Sequence, residues 1–194
     1  MIRDKKELKD WELLHSTEDP VKRRALLSSI VSRRLEEQGF PKPIIVGGEA
    51  LEIYSSGQFT TGDIDIKAPL EELRSVLFEM GFVQHYGVFY HSDLEIGIDW
   101  TGASLEEGEE AEQRTVEVQI QKNLSVRLVS IEDLVIDRLS AYKWWGDQDS
   151  RIQAQFLLQV KPDLDYEYLK ERAGHEELKD SLDEILDLKG SGER

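Results

Sequence analysis

Two glycines and two aspartates are the residues of this chain best placed to do chemistry. Gly47 and Gly48 close the β-branched run Ile44-Ile45-Val46, and Asp63-Ile64-Asp65-Ile66 begins fifteen residues after Gly48. A strand ending in two glycines lets backbone approach a ligand with no side chain in the way. A helix behind it offers unpaired N–H groups and a positive dipole end, for which phosphate is the natural guest. Alternation along a strand sends both Asp63 and Asp65 to one sheet face and Ile64 and Ile66 to the other. Two carboxylates at that range repel, and a shared proton or a bound cation relieves the repulsion. Mg²⁺ held by one or two carboxylates together with substrate phosphates is a common arrangement. Each signal alone is weak, but their order, phosphate-cradling turn, helix, paired-carboxylate strand, is what metal-assisted phosphoryl or nucleotidyl transfer needs.

Gly47-Gly48-Glu49-Ala50-Leu51 followed by Thr60-Thr61-Gly62-Asp63-Ile64-Asp65 resembles the nucleotidyltransferase superfamily of polymerase β-like folds. Within it the segment is most similar to the abortive-infection, toxin-type nucleotidyltransferases and their uncharacterised archaeal and bacterial relatives. The tRNA CCA-adding enzymes share Gly-Gly and Asp-Ile-Asp but carry Arg where this chain has Leu51. The resemblance implies an α+β fold, a mixed sheet flanked by helices with a C-terminal helical annex. It also implies a third carboxylate on a later strand, for which Glu95 and Asp99 are candidates. Four apart on a strand, these two share a face. Asp99 is preferred because it stands near the strand end, before Trp100-Thr101-Gly102. A Lys on the helix after the sheet, here Lys143, is implied to reach the triphosphate, with Asp147 or Asp149 nearby. Two departures from the pattern are Gly48, where many relatives have Ser, and Gln58-Phe59, where several place an Arg.

The activity so implied is Mg²⁺-dependent transfer of a nucleoside monophosphate from an NTP to a hydroxyl. One or two ions would sit on Asp63, Asp65 and Asp99, and Gly47, Gly48 and Lys143 would position the triphosphate. The acceptor, whether protein, RNA or small molecule, stays open. The rival reading is a non-catalytic nucleotide-binding module, such as one half of a toxin–antitoxin pair, because fold does not fix function.

Positioning these groups requires a particular order of elements. Apolar spacing of three and four predicts helices over 3–15 and 18–38, the second ended by Gly39, Pro41 and Pro43. A strand at 44–46, a helix from Glu49 to about Ser56, the Asp63–Ile66 strand and a helix from Pro69 to Met80 follow. Phe82–His91 and Asp93–Trp100 read as paired strands, 101–113 as an acidic surface loop, and 115–120 with 126–129 as a hairpin around Lys122-Asn123. From Ser130 the period is helical, opened by a Ser130-Ile131-Glu132-Asp133 cap, with helices over about 149–160 and on either side of Gly174. The expected division is a nucleotidyltransferase-like core over 1–129 and a helical region over 130–194, with frayed ends at 191–194.

Composition narrows the classes further. The 194 residues carry a formal charge of −16, which opposes capture by long polyanions or an anionic membrane surface. Residues 1–42 are nonetheless net +2, and 163–187 hold ten acids, read as a solvated helical face. Lys22-Arg23-Arg24 and Arg33-Arg34 are likewise read as solvated. Absent cysteine excludes disulfides, thiolate zinc and cysteine nucleophiles, and only four His remain. No apolar run approaches a membrane span, and MIRDKKELKD lacks a signal-peptide core, so a cytoplasmic protein is expected. Trp144 and Trp145 are read as hinge and core packing, and the aromatic and imidazole residues of 85–91 as edge-strand packing.

Overall fold

The computed structural model describes residues 5–160 and 163–191, with nine helices and seven strands among them. The chain opens with α1 (Lys5–Ser16) and α2 (Pro20–Glu37). Asp19 caps α2, its carboxylate accepting from the N–H groups of Val21 and Lys22, and Pro20 takes the first helical position, where no N–H is needed. Then come β1 (Ile44–Ile45), α3 (Gly47–Tyr54), β2 (Asp63–Lys67) and α4 (Leu70–Glu79). The β-rich middle comprises β3 (Val83–His85), β4 (Val88–His91), β5 (Ile96–Gly102), α5 (Glu109–Gln113), β6 (Val116–Gln121) and β7 (Leu124–Leu128). Four helices close the chain: α6 (Ile131–Trp145), α7 (Gln148–Val160), α8 (Tyr166–His175) and α9 (Lys179–Ser191).

The strands form one mixed sheet in the order β3-β4-β5-β2-β1-β7-β6. β1 is antiparallel to β2 and parallel to β7, and β2 is parallel to β5. Parallel neighbours need crossovers, and the helices between them are those crossovers. One sheet face is closed by α2, which packs on β6 and β7, and by α4, whose Phe78 meets Phe89 of β4 edge to face at 6.1 Å. Ile64, Ile66, Ile98 and Phe89 point there and are fully buried. Each such side chain contributes about 1.5–3 kcal/mol by leaving water. The alternation predicted for Asp63–Ile66 is therefore present, with the isoleucines inward.

Several expectations are corrected. Phe82–His91 is a hairpin rather than one strand, turned at Tyr86 (φ 49°) and Gly87 (φ 95°), the pair of left-handed residues whose twist suits a two-residue turn. The acidic 101–113 segment is not all loop. β5 runs to Gly102, and α5 forms because Ala111 is buried, a helix too short to show a period in sequence. Gly174 lies inside α8, where a Cβ would meet Lys179 Cε at 2.9 Å, and the break falls instead at Glu177 (φ 59°). Arg24 is not on a solvated face but buried, and Arg33 and Arg34 share Asp10 at 2.6 and 3.2 Å. Trp144 and Trp145 are not core residues: they are 55% and 85% exposed. The expectation of frayed ends falls, beyond Ser191, outside the described residues. Among the described residues no helix is long and apolar enough to cross a membrane.

Candidate active site

β2 lies between β1 and β5, so the turn leaving β1 and the acids of β2 and β5 share one edge of the sheet. In the parallel β2–β5 register Asp65 is opposite Asp99 and Asp63 is opposite Gly97. Asp65 and Asp99 thus leave the same face, away from the buried Ile64 and Ile98. Glu95 is not on that strand: it sits in the turn before β5 with φ 55°. The structure therefore puts Asp63, Asp65 and Asp99 on neighbouring positions of one sheet face and leaves Glu95 outside.

α3 starts directly at Gly47, and the Gly48 N–H donates to Asp65 Oδ2 across 3.2 Å. Gly47 takes φ 56°, and a Cβ on it would lie 2.3 Å from Asp65 Oδ2. A Cβ on Gly48 would lie 2.7 Å from Thr61 Oγ1. A Cβ at either glycine would run into the chain's own Asp65 or Thr61. Thr61 Oγ1 in turn donates to Asp63 Oδ1 at 3.2 Å.

Electrostatics at this edge are unbalanced. Burial pushes the Asp65 carboxyl up, and the charges of Asp63 and Asp99 push it further. The Gly48 N–H and the Arg138 guanidinium pull it the other way. Asp63 is exposed and Asp65 and Asp99 are half-buried, so all three carboxylates remain open to an incoming group. Hard carboxylate oxygens in negative excess are the donor set that Mg²⁺ takes, with one or two carboxylates and the rest from water and phosphate. Among the described residues no group of three or more His, Asp or Glu side chains is placed to hold a metal ion by itself. The residues fit a shared protein–substrate metal site rather than a closed one.

A cavity of about 310 Å³ opens beside Asp65, walled by Gly47 and Lys67 on the sheet side, α6 on the other, and the 103–108 loop. Lys67 is on the same strand face as Asp63 and Asp65 and is itself buried. Its ammonium donates to Glu106 Oε2 at 2.7 Å and to the Thr101 carbonyl at 3.2 Å, and this pairing holds the Glu106 carboxyl below its usual range. From α6 come Asp133, Asp137 and Arg138, the last donating to Gln153 Oε1 at 3.3 Å and to Asp137 Oδ2 at 2.9 Å. Sequence reading overlooked Lys67 and Arg138. Lys67 could have been found by extending the β2 alternation two residues past Asp65, whereas Arg138 carries no signal apart from its helix.

Lys143 is held elsewhere. It donates to the Glu177 carbonyl between α8 and α9, and its ammonium lies 4.6 Å from the Trp144 ring centroid. Asp147 accepts from Ser150 Oγ at 2.6 Å and from the Asp149 N–H at 3.0 Å, a capping role at the start of α7. Next to Asp99 the outward face of β3 and β4 is open, with Val83, Val88 and Tyr90 exposed beside His85 and Val88 in register with Asp99. Phe89 and His91 of the same hairpin point inward.

A family model described as "nucleotidyltransferase of unknown function (DUF6036)" matches residues 27–186. Among curated proteins none matches. Of solved structures, ANT(2")-Ia in complex with adenylyl-2"-tobramycin aligns with a TM-score of 0.53 at 20% identity, covering 77% of this chain and 95% of that one. An antigenic nucleotidyltransferase-like protein from Paracoccidioides brasiliensis aligns at 0.52 with 16% identity, covering 88% and 94%. The solution structure of the antibiotic-resistance factor ANT(2'')-Ia aligns at 0.50 with 15% identity, covering 90% and 97%. At these identities the likeness is one of fold, and it agrees with the mixed sheet flanked by helices.

Proposed function

The chain belongs to the family of nucleotidyltransferases of unknown function (DUF6036), and from that premise we propose that it moves a nucleoside monophosphate from an NTP to a hydroxyl of a small-molecule acceptor, with Mg²⁺. The observation that carries this reading is the juxtaposition of the Gly47-Gly48 turn, Asp65 and Asp99, tied by the Gly48–Asp65 hydrogen bond.

Asp63 and Asp65 would hold the ion, and Asp99 would complete a second position on the acceptor side. When bound, the metal supplies charge neutralisation on the phosphates and acidifies the attacking hydroxyl. The start of α3 faces the same edge and, with Arg138 and Lys67, offers cationic and N–H partners to the triphosphate oxygens. Asp99 is the carboxylate placed to take the acceptor's proton as its oxygen bonds to the α-phosphorus and the bond to pyrophosphate breaks. The open face carrying Val83, Val88 and Tyr90 borders Asp99 and would seat the apolar side of an acceptor. A formal charge of −16 disfavours a long nucleic acid there, and the cavity beside Asp65 has the dimensions of a small molecule. The adenylyl-2"-tobramycin bound in one structural neighbour is a small molecule of the product class that such a transfer would give.

The test is Mg²⁺-dependent pyrophosphate release from each NTP across a panel of hydroxylated small molecules, with RNA and protein as comparison acceptors. Asp63→Asn is expected to remove at least about 10²-fold of any turnover. No release that depends on Asp63 with any acceptor would defeat the proposal. A second reading, nucleotide binding without turnover, draws on the lack, among the described residues, of a group placed to hold a metal ion by itself. It would give Mg²⁺·NTP-dependent thermal stabilisation and no pyrophosphate.

A further inference from the structure

Between α2 and α3 lies a buried ionic cluster that touches the site from behind. Arg24 of α2 reaches between α2 and α3 to Glu52, its Nε 3.0 Å and its Nη2 2.6 Å from Glu52 Oε2. Arg24 Nε is also 3.3 Å from Glu49 Oε2. Glu49 and Glu52 are fully buried and Arg24 is 7% exposed. A buried ion pair is a poor way to clamp two helices, because the desolvation cost consumes most of the attraction and well-packed apolar side chains would hold α2 to α3 as well. What an apolar pair could not do is accept a hydrogen bond, and Glu52 Oε1 accepts the backbone N–H of Thr61 at 3.2 Å.

Thr61 is the residue on which both halves of the site lean. Its side chain fills the space above Gly48, and its hydroxyl donates to Asp63 Oδ1. From this continuous path we infer that Arg24, acting through Glu52 and Thr61, is a positioning residue for the Asp63 carboxylate and so for the ion that Asp63 would carry. One guanidinium faces two carboxylates, and burial followed by the Glu52 charge pushes the Glu49 carboxyl up to about 8.

This inference rests on the proposed function, and the experiment separates the two. Mn²⁺ affinity is measured by electron paramagnetic resonance in the presence of α,β-methylene-ATP. The proteins compared are the full chain, Asp63→Asn, Arg24→Lys, Thr61→Val and Thr61→Ser, with melting temperatures recorded in parallel. Arg24→Lys and Thr61→Val are each expected to weaken Mn²⁺ binding about three- to tenfold, the size of one ordinary hydrogen bond. Affinity for the analogue in EDTA should not change, and Thr61→Ser should restore the wild-type value. The Arg24→Lys, Thr61→Val double variant should be no weaker than its weaker parent, because both act on one path. Should Arg24→Lys fail to fold, Glu52→Gln, which keeps the side-chain shape and removes the charge that Arg24 holds, takes its place with the same loss expected. Wild-type Mn²⁺ affinity in both variants, alongside loss in Asp63→Asn, overturns the inference and leaves the functional reading standing. No Mn²⁺ binding by the wild-type chain overturns both.

Discussion

Gly47 gives its Cβ space to Asp65: the carboxylate oxygen stands where a side chain would begin, 2.3 Å away, and the Gly47 backbone is left-handed at φ 56°. Any side chain at this position must displace Asp65 and strain the turn together. Gly47→Ala is therefore expected to cost about 1–2 kcal/mol from its backbone conformation alone. It should also lower turnover by about 10²-fold by shifting Asp65 on the scale of an ångström. Gly62→Ala is the matched control, since nothing lies within 4 Å of its Cβ, and it should stay within about 0.5 kcal/mol of wild type. Equal behaviour of the two variants in denaturant melts and turnover assays would sink the argument.

Lys67 and Glu106 make opposite demands on a triphosphate. Lys67 is buried, while the Glu106 side chain is 73% exposed, so their pair contributes little to stability and can be exchanged for a phosphate. Lys67→Met is expected to raise the KM for NTP about tenfold, and Glu106→Gln to lower it about two- to threefold by releasing the ammonium. Lys143→Met should leave it within about twofold, because Lys143 is engaged with Glu177. A KM rise confined to Lys143→Met would return the triphosphate role to that residue.

Glu49 makes stability fall with pH. Its carboxyl is raised from 4.5 to about 8 by burial and then by Glu52, against the pull of Arg24. The folded chain therefore holds a proton that the unfolded chain has released across that window. The stability this proton confers is fully present below 4.5 and is lost as pH rises toward about 8, after which the curve levels. Glu49→Gln copies the neutral shape, so its melting temperature should decline less than that of wild type between about pH 5 and 8. Parallel profiles for the two proteins would show that Glu49 does not titrate there.

Asp133 ties α8 to α6. The Tyr168 hydroxyl donates to its Oδ1 at 2.9 Å, Arg172 Nε lies 3.3 Å from the same oxygen, and Ser130 Oγ donates to Oδ2 at 2.6 Å. Tyr168→Phe removes one hydrogen bond to a buried carboxylate and is expected to cost about 1.5–3 kcal/mol in urea unfolding. A change under about 0.5 kcal/mol would show that Arg172 and Ser130 suffice.

Much of this site can be read from spacing, because the relevant forces act between near neighbours. The parity of Asp63 and Asp65, the Gly-Gly turn and the Ser130 cap are all decided within a few residues, and each is present. The resemblance supplied Asp99, which the β2–β5 register places opposite Asp65. What spacing could not show depends on contacts between residues far apart in the chain. Arg24 looked like part of a solvated basic cluster because its partner, Glu52, lies 28 residues away. Lys67 lies one residue past the strand that spacing predicts at Asp63–Ile66, and its partner Glu106 is 39 residues away. Trp144 and Trp145 misled in the other direction: large indoles suggested burial, yet the end of α6 leaves both in water.

The occupied spaces above Gly47 and Gly48 also bear on redesign. Thr61 Oγ1 and Thr61 Cβ stand 2.7 and 2.9 Å from where a side chain at 48 would start, so a serine at 48 is excluded unless 61 is trimmed in the same step. Positions 48 and 61 behave as one interlocked unit of fixed total volume. Introducing a hydroxyl on the turn means moving it from the threonine, and a library that enlarges 48 without trimming 61 will sample only crowded combinations.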